Sequence, residues 1–294
     1  MDMTLEELAP PPPLQQVGIG VVAPYDFALD RELWRWVPND VSLYVTRLRY
    51  APLPVTVDMA VHVSEPEQVE AGAANVLAVA PLVTAYACTA GSFVKGMAGE
   101  AALVAAMRAA GAPAAVTTSG SMLSALRHLG LTRVATVTPY TTDLTVGLTS
   151  YLMEAGIEVV ATAGLGMTSR IWAVPYETTA ELVHATDVPD AQAIVISCTN
   201  LPTYDLIARL ERDLGKPVIT ANQVTMWAAL AVAGREAVGA GQWLLEGRGR
   251  SDERRLHGDG GDPVSRPQRR GRLWRARGAR VRDGQAAGRD HVGR

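Results

Sequence analysis

Cysteine is scarce: only Cys88 and Cys198 occur in 294 residues. Two thiols cannot staple a disulfide-rich scaffold or furnish a four-cysteine zinc site. The five histidines, His62, His128, His184, His257 and His291, show no ligand-like spacing, so no metal site is expected. No GxGxxG follows a strand and opens a helix, GxxxxGK[ST] is absent, and no GxSxG occurs, which removes nucleotide binding and serine-hydrolase chemistry. The opening MDMTLEELAPPPPLQQ lacks the basic start and apolar run of a secretory signal. The longest uncharged stretch, 71–94, contains Pro81 and much alanine, and suits a buried strand flanked by turns better than a membrane helix. A cytoplasmic protein without a membrane partner is expected.

What the chain has is apolar content, at 48% hydrophobic residues, enough for a sizeable core. Its formal net charge of -3 averages two unlike parts. Residues 1–246 carry 13 basic and 24 acidic side chains, whereas 247–294 carry 14 arginines, no lysine and 6 acids. That tail has no Ile, Met, Phe or Tyr and no helical or strand period, so it is expected to be disordered. An arginine-rich arm for nucleic acid is one reading of it. We prefer an out-of-frame or otherwise non-functional extension, because arginine with Gly, Pro and Ala is what a shifted reading of a GC-rich gene yields. The acidity of the remainder argues against nucleic acid as a partner.

Short β-branched runs alternate with alanine-rich helical stretches: VGIGVVA (17–23), VSLYVTRL (41–48), PLVTAYA (81–87), AAVTT (114–118), RVATVT (133–138), IEVVATAG (157–164), AIVIS (193–197) and KPVIT (216–220). Continuous apolar strands separated by helices indicate parallel sheets covered on both faces, hence an α/β fold. The pattern also repeats. Pro-Tyr follows a strand at Pro24-Tyr25 and again at Pro139-Tyr140, 115 residues on, and Cys-Thr follows a strand at Cys88-Thr89 and at Cys198-Thr199, 110 residues on. Each alone is a coincidence; together they predict two similar lobes facing each other. We expect a disordered segment at 1–16, a first lobe from 17–115 with 222–246, a second from 116–221, and the tail from 247.

Both cysteines fall at the C-terminal ends of predicted parallel strands, where open α/β sheets place their ligand crevices. A helix start just after each would lower the thiol pKa into a range where thiolate exists at neutral pH. Such thiols act as nucleophiles or as acid/base groups. The neighbouring hydroxyls, amides and peptide N–H groups of Thr89, Gly91, Ser92, Ser119, Gly120, Ser121, Thr199 and Asn200 suit carboxylate oxygens, though ordinary capping explains any one of them equally well. Tyr140 is placed to donate to a substrate carboxylate, with Tyr25 and Asp26 at the equivalent position of the first lobe. The stretch DRELWRWVPND (30–40) is either a lid or an exposed face with one buried tryptophan, the plainer account.

The strand-embedded ACTAGS at 87–92, TPY at 138–140 and SCTNLPT at 197–203 resemble the aspartate/glutamate racemase superfamily, in its maleate isomerase and arylmalonate decarboxylase branch. VVAPYDFALDRELWRWVPNDVSLYVTR at 21–47 is most similar to the ectoine-utilisation proteins of that branch. The resemblance covers about residues 17–245. It implies two pseudo-twofold Rossmann-like lobes with one cysteine from each meeting in the cleft, no metal, no organic cofactor, and a homodimer or larger oligomer. It further implies that Cys88 is the nucleophile, that Cys198 assists as an acid, and that Tyr140 is the family tyrosine. The decarboxylases keep only the second cysteine, so Cys88 favours isomerase or racemase chemistry.

Two departures concern the substrate. Maleate isomerases carry an asparagine where this chain reads Pro24, Tyr25, Asp26, and a second one in the region reading Thr168, Ser169, Arg170 here. Asp26 with Arg170 hints at a ligand bearing an amine as well as a carboxylate. The expected activity is a cofactor-independent, two-cysteine isomerisation of a small carboxylic acid, maleate-like, in ectoine degradation; the alternatives are an amino-acid racemase and a non-catalytic small-acid binding protein.

Overall fold

The eight apolar runs form eight strands in two parallel sheets. The computed structural model describes residues 16–247. The disorder expected at 1–16 and 247–294 therefore falls, apart from Gln16 and Gly247, outside the described residues.

The first sheet comprises β1 (Val17–Ala23), β2 (Val41–Arg47), β3 (Val83–Tyr86) and β4 (Ala115–Thr117) in the order β2-β1-β3-β4. The second comprises β5 (Arg133–Thr138), β6 (Glu158–Gly164), β7 (Ala193–Ile196) and β8 (Val218–Thr220) in the order β6-β5-β7-β8. Every pairing is parallel. The second order repeats the first strand for strand, as the duplicated motifs predict. Among the described residues no helix is long and apolar enough to cross a membrane.

The helices of the first half are α1 (Asp30–Leu33), α2 (Val57–Val63), α3 (Pro66–Leu77), α4 (Thr89–Phe93), α5 (Gly96–Ala109) and α6 (Thr118–His128). Those of the second are α7 (Thr142–Glu154), α8 (Tyr176–Thr186), α9 (Tyr204–Leu214), α10 (Ala221–Val232) and α11 (Trp243–Glu246). The 71–94 stretch does contain a strand, but its first part is the end of α3 and its last part is α4, not turns. Alanine at Ala71, Ala73 and Ala74 favours helix once Pro66 has opened it at a position that needs no N–H.

Both faces of β1 are covered. Ile19 and Val21 pack in one core cluster with Leu33, Trp36, Met226 and Leu230, so α10 lies on the first sheet. Val22 points to the other side, with Val69 and Ala73 of α3 and with Tyr86 and Cys88. Two glycines let strand and helix approach closely: a Cβ on Gly20 would stand 2.8 Å from Val76 Cγ2, and one on Gly72 2.7 Å from Val22 Cγ1. Around the second sheet a larger cluster runs from Val134 and Ile194 to Leu148, Leu152 and Leu210. Within 30–40, Trp36 is buried, its indole N–H donating to Gln242 Oε1 at 2.9 Å, while Trp34 is 43% exposed. The plainer account of that stretch is the one the structure supports.

Candidate active site

Cys88 and Cys198 stand at matching positions, each two residues beyond a central strand, β3 or β7. Their residual exposures of 5% and 8% show the lobes closed over them. The loops that follow differ. Cys88 is itself the N-cap of α4, its Sγ accepting the Gly91 N–H at 3.3 Å. After Cys198, by contrast, the chain makes a turn in which Leu201 N–H donates to Cys198 O at 3.2 Å, and α9 starts only at Tyr204. The helix start expected just beyond Cys198 is thus displaced, because Pro202 breaks the run and the turn is anchored from outside. Cys198 adopts φ +91°, a conformation that side chains adopt only under constraint.

Each thiol is paired with a tyrosine hydroxyl. Tyr86 donates to Val63 O at 2.6 Å, and its hydroxyl stands on the Cys88 side of the sheet, where it bears on the thiol's charge. Tyr140 receives the Ser197 hydroxyl at 3.4 Å and bears likewise on the charge of Cys198. Tyr86 and Ser197 were not among the residues singled out from sequence. Strand alternation was the available signal, since Tyr86 precedes Cys88 by two and shares its face.

Burial governs the protonation of the site. It pushes Cys88 up to about 12, against the lowering pull of the Gly91 N–H and Tyr86. It does the same to Cys198, also to about 12, against Asn200 N–H and Tyr140. The expectation that helix N-termini hold these thiols as thiolates is corrected: in the closed site desolvation wins. Burial likewise raises Asp26, despite hydrogen bonds from its own main chain and from Asn200. The charge of Asp26 reaches both thiols, and a charge on Cys88 reaches Cys198 and Tyr140. Two cysteines, a carboxylate and a phenol from two lobes thus share one low-dielectric space.

The remaining candidates divide by what their polar atoms do. Thr89 Oγ1 is buried and has no hydrogen-bond partner among the described residues. Ser92 Oγ instead donates to Cys88 O at 2.7 Å and meets Ser119 Oγ at 2.7 Å, and Ser119 Oγ also donates to Thr89 O at 3.1 Å. These serines pin α4 against α6 rather than facing open space. Asn200 bridges the lobes, accepting Ala28 N–H and donating to Asp26 O, both at 2.9 Å. Thr199 Oγ1 donates to Ala87 O at 3.2 Å. Pro24 is buried in the turn, its carbonyl accepting Phe27 N–H at 3.1 Å.

Tyr25 is half-buried and donates to Leu53 O at 3.3 Å, which ties it to a loop whose Val55 N–H reaches Thr168 O of the other lobe at 2.7 Å. Ser169 and Arg170 stand exposed beside that contact, with Arg170 at φ +53°, and their side chains make no hydrogen bond or ion pair among the described residues. The structure does not bring them to the thiols. A cavity of about 740 Å³ between Arg47–Pro52 and α3 also lies away from both cysteines. Among the described residues no cluster of three His, Cys, Asp or Glu is arranged to hold a metal ion.

Comparison with known proteins places the chain in a family. The arylmalonate decarboxylase family model matches residues 56–245. Arylmalonate decarboxylase from Bordetella bronchiseptica is 36% identical over 148 residues, 49% of this chain and 61% of that protein. A maleate isomerase from Nocardia farcinica is 31% identical over 150 residues, 48% of this chain and 60% of its own. The chain thus spans about three-fifths of the length of these curated relatives. Among solved structures, a double mutant of arylmalonate decarboxylase in the liganded form superposes with a TM-score of 0.73 at 29% identity, covering 79% of this chain and 99% of that one. A maleate isomerase from Pseudomonas putida S16 with maleate has the same TM-score of 0.73 at 24% identity, covering 79% and 98%, and shares the fold. With the family model spanning most of the described residues, the chain belongs to the arylmalonate decarboxylase family.

Proposed function

We propose that this protein is a cofactor-independent isomerase of a small carboxylic acid, with Cys88 and Cys198 acting from opposite lobes, 17–115 with 222–246 and 116–221. The observation that carries the reading is the matched pair of buried thiols, each beside a tyrosine hydroxyl, in a space that Asp26 also enters. Maleate isomerases among the relatives support the reaction class.

On a cis-alkene diacid, Cys88 gives its proton to the carboxylate of Asp26, whose charge reaches it, and the sulfur bonds to one alkene carbon. The π pair moves onto the far carboxylate as an enediolate, which Thr89 Oγ1, Tyr140 and peptide N–H groups stabilise as its charge develops. Cys198 delivers a proton to the carbanionic carbon. Rotation about the new single bond follows, Cys198 takes that proton back, the pair re-forms the double bond, and the C–S bond breaks to release the trans acid, the Cys88 sulfur recovering its proton from Asp26. Neutral thiols in this buried site suit the scheme, because a resting thiolate would repel a dianionic substrate.

A second reading is favoured by Asp26 itself. A carboxylate among the thiols suits a substrate ammonium, and one cysteine would then remove an α-proton while the other returned one from the opposite face. An amino acid derived from ectoine is the corresponding substrate, and a cytoplasmic homodimer or larger oligomer is the expected form. Proton NMR in D2O under reducing conditions, with maleate and separately with chiral ectoine-derived amino acids, tests both. Fumarate formation supports the first reading and α-deuterium exchange the second; neither, with folded protein, overturns the enzyme assignment.

A further inference from the structure

The catalytic reading leaves the buried acids Glu211 and Glu32 unused, and the second of them spans the lobes. Glu32, on the short α1 of the first lobe, is 7% exposed and has no cationic partner among the described residues. Its carboxylate reaches instead into the second lobe. Oε2 accepts Thr203 N–H at 3.0 Å, and Oε1 accepts the Thr203 hydroxyl and the Asn222 amide, each at 3.1 Å. The Tyr204 N–H adds a further donor. Thr203 is the N-cap of α9 and makes no side-chain cap of its own. Glu32 therefore caps α9 from the opposite lobe, where the unpaired N–H groups and the helix dipole favour a negative charge.

The same Asn222 amide also donates to Thr199 O at 2.9 Å, next to Cys198. The segment Cys198–Thr203 is thus held at both ends and in its middle: Thr199 on Ala87, Asn200 on Asp26 and Ala28, Thr203 on Glu32. Cys198 sits at the head of this segment with φ +91°. Such a backbone persists only where its surroundings over-determine it. Arg35, three residues beyond Glu32, makes its own interlobe pair with Asp205, but that pair is exposed and touches α9 beyond the turn.

We propose that Glu32 is a positioning residue for Cys198: by capping α9 across the lobe boundary and gripping Asn222, whose amide also holds Thr199 O, it holds the turn that keeps the second thiol in its strained, inward conformation. This rests on Cys198 being one of the two working thiols, but the position of the thiol is measured without any substrate.

The test is site-resolved alkylation by iodoacetamide, followed by peptide mass spectrometry, on native protein at one pH. In Glu32→Ala the turn relaxes, and Cys198 is expected to react on the order of ten-fold faster while Cys88 changes less than about two-fold. Glu32→Gln keeps an acceptor for Thr203 but turns an amide toward the Asn222 amide, and should fall between. Thr203→Val removes the hydroxyl bond alone and serves if Glu32→Ala does not fold. Arg35→Ala is the control and leaves both rates unchanged. An unchanged Cys198-to-Cys88 ratio in folded Glu32→Gln and Thr203→Val proteins overturns the proposal, as does an equal rise at both cysteines, which would report general loosening. Absence of turnover on every acid tried would sink the catalytic reading while leaving this result intact.

Discussion

Gly91 N–H donates to Cys88 Sγ at 3.3 Å from the one position in α4 where a side chain has no room. A Cβ there would run into the Tyr86 hydroxyl and stand 3.2 Å from the thiol sulfur. The first lobe's thiol, its N–H donor and its tyrosine are therefore a single packed unit. Gly91→Ala should displace Tyr86 or the α4 N-terminus, costing about 1–3 kcal/mol in denaturant midpoint, as overpacking does. Turnover and Cys88 alkylation should both change by at least about ten-fold while Cys198 alkylation stays put. A variant with native stability and an unaltered Cys88 rate would contradict the geometry.

The protonation of the thiols sets a second expectation. Both are raised by burial from 9.0 to about 12, so the folded state holds protons that the unfolded chain releases. Their contribution to stability is complete below pH 9 and is lost as pH rises from about 9 toward 12. Denaturant midpoints measured from pH 8 to 10.5 should fall for the parent protein and fall less steeply for Cys88→Ala/Cys198→Ala. Parallel slopes would mean the thiols are not desolvated as described. In the same range the native alkylation rate should keep climbing without the plateau near pH 9 shown by unfolded protein.

Much of this site was visible in the chain before folding. Continuous apolar runs gave the strands because both sheet faces are covered, and the Pro-Tyr and Cys-Thr pairs marked equivalent strand ends. The helix after Cys198 misled, since Thr199 and Asn200 look like caps but spend their side chains on Ala87, Asp26 and Ala28 of the other lobe. Thiol protonation was not legible either: helix termini are local and readable, whereas burial depends on how two lobes close. Glu32 is hidden among charges in the sequence, although Leu29, Leu33 and Trp36 at helical spacing place it beside their apolar face.

The interlobe contacts differ in worth. Arg35 holds Asp205 with two hydrogen bonds of 2.7 Å, and Arg35 also stacks over Tyr204 at 3.6 Å. Yet the paired side chains are 43% and 51% exposed, so water competes for both charges. Arg35→Ala is expected to cost less than about 1 kcal/mol in chemical denaturation, and less still in high salt. A loss above about 2 kcal/mol would show that lobe closure leans on this pair rather than on the buried hydrogen bonds behind it.

Two buried tyrosines separate chemistry from packing. Tyr140 is 2% exposed, beside Cys198 and Ser197, where an enediolate oxygen would develop charge. Tyr151 is 1% exposed among the residues around the second sheet, and its hydroxyl has no hydrogen-bond partner. Removing one oxygen from each should therefore have opposite consequences. Tyr140→Phe should lower kcat on the order of 10²–10³-fold, the scale of losing one preorganised donor, while stability moves by about 1 kcal/mol. Tyr151→Phe deletes an unpaired buried hydroxyl, so stability should stay level or rise and kcat should not change. Steady-state kinetics and denaturation of the two variants, run side by side on whichever acid the NMR assay identifies, check the assignment. Equal loss of kcat in both would mean that Tyr140 acts only by packing, and would remove it from the site.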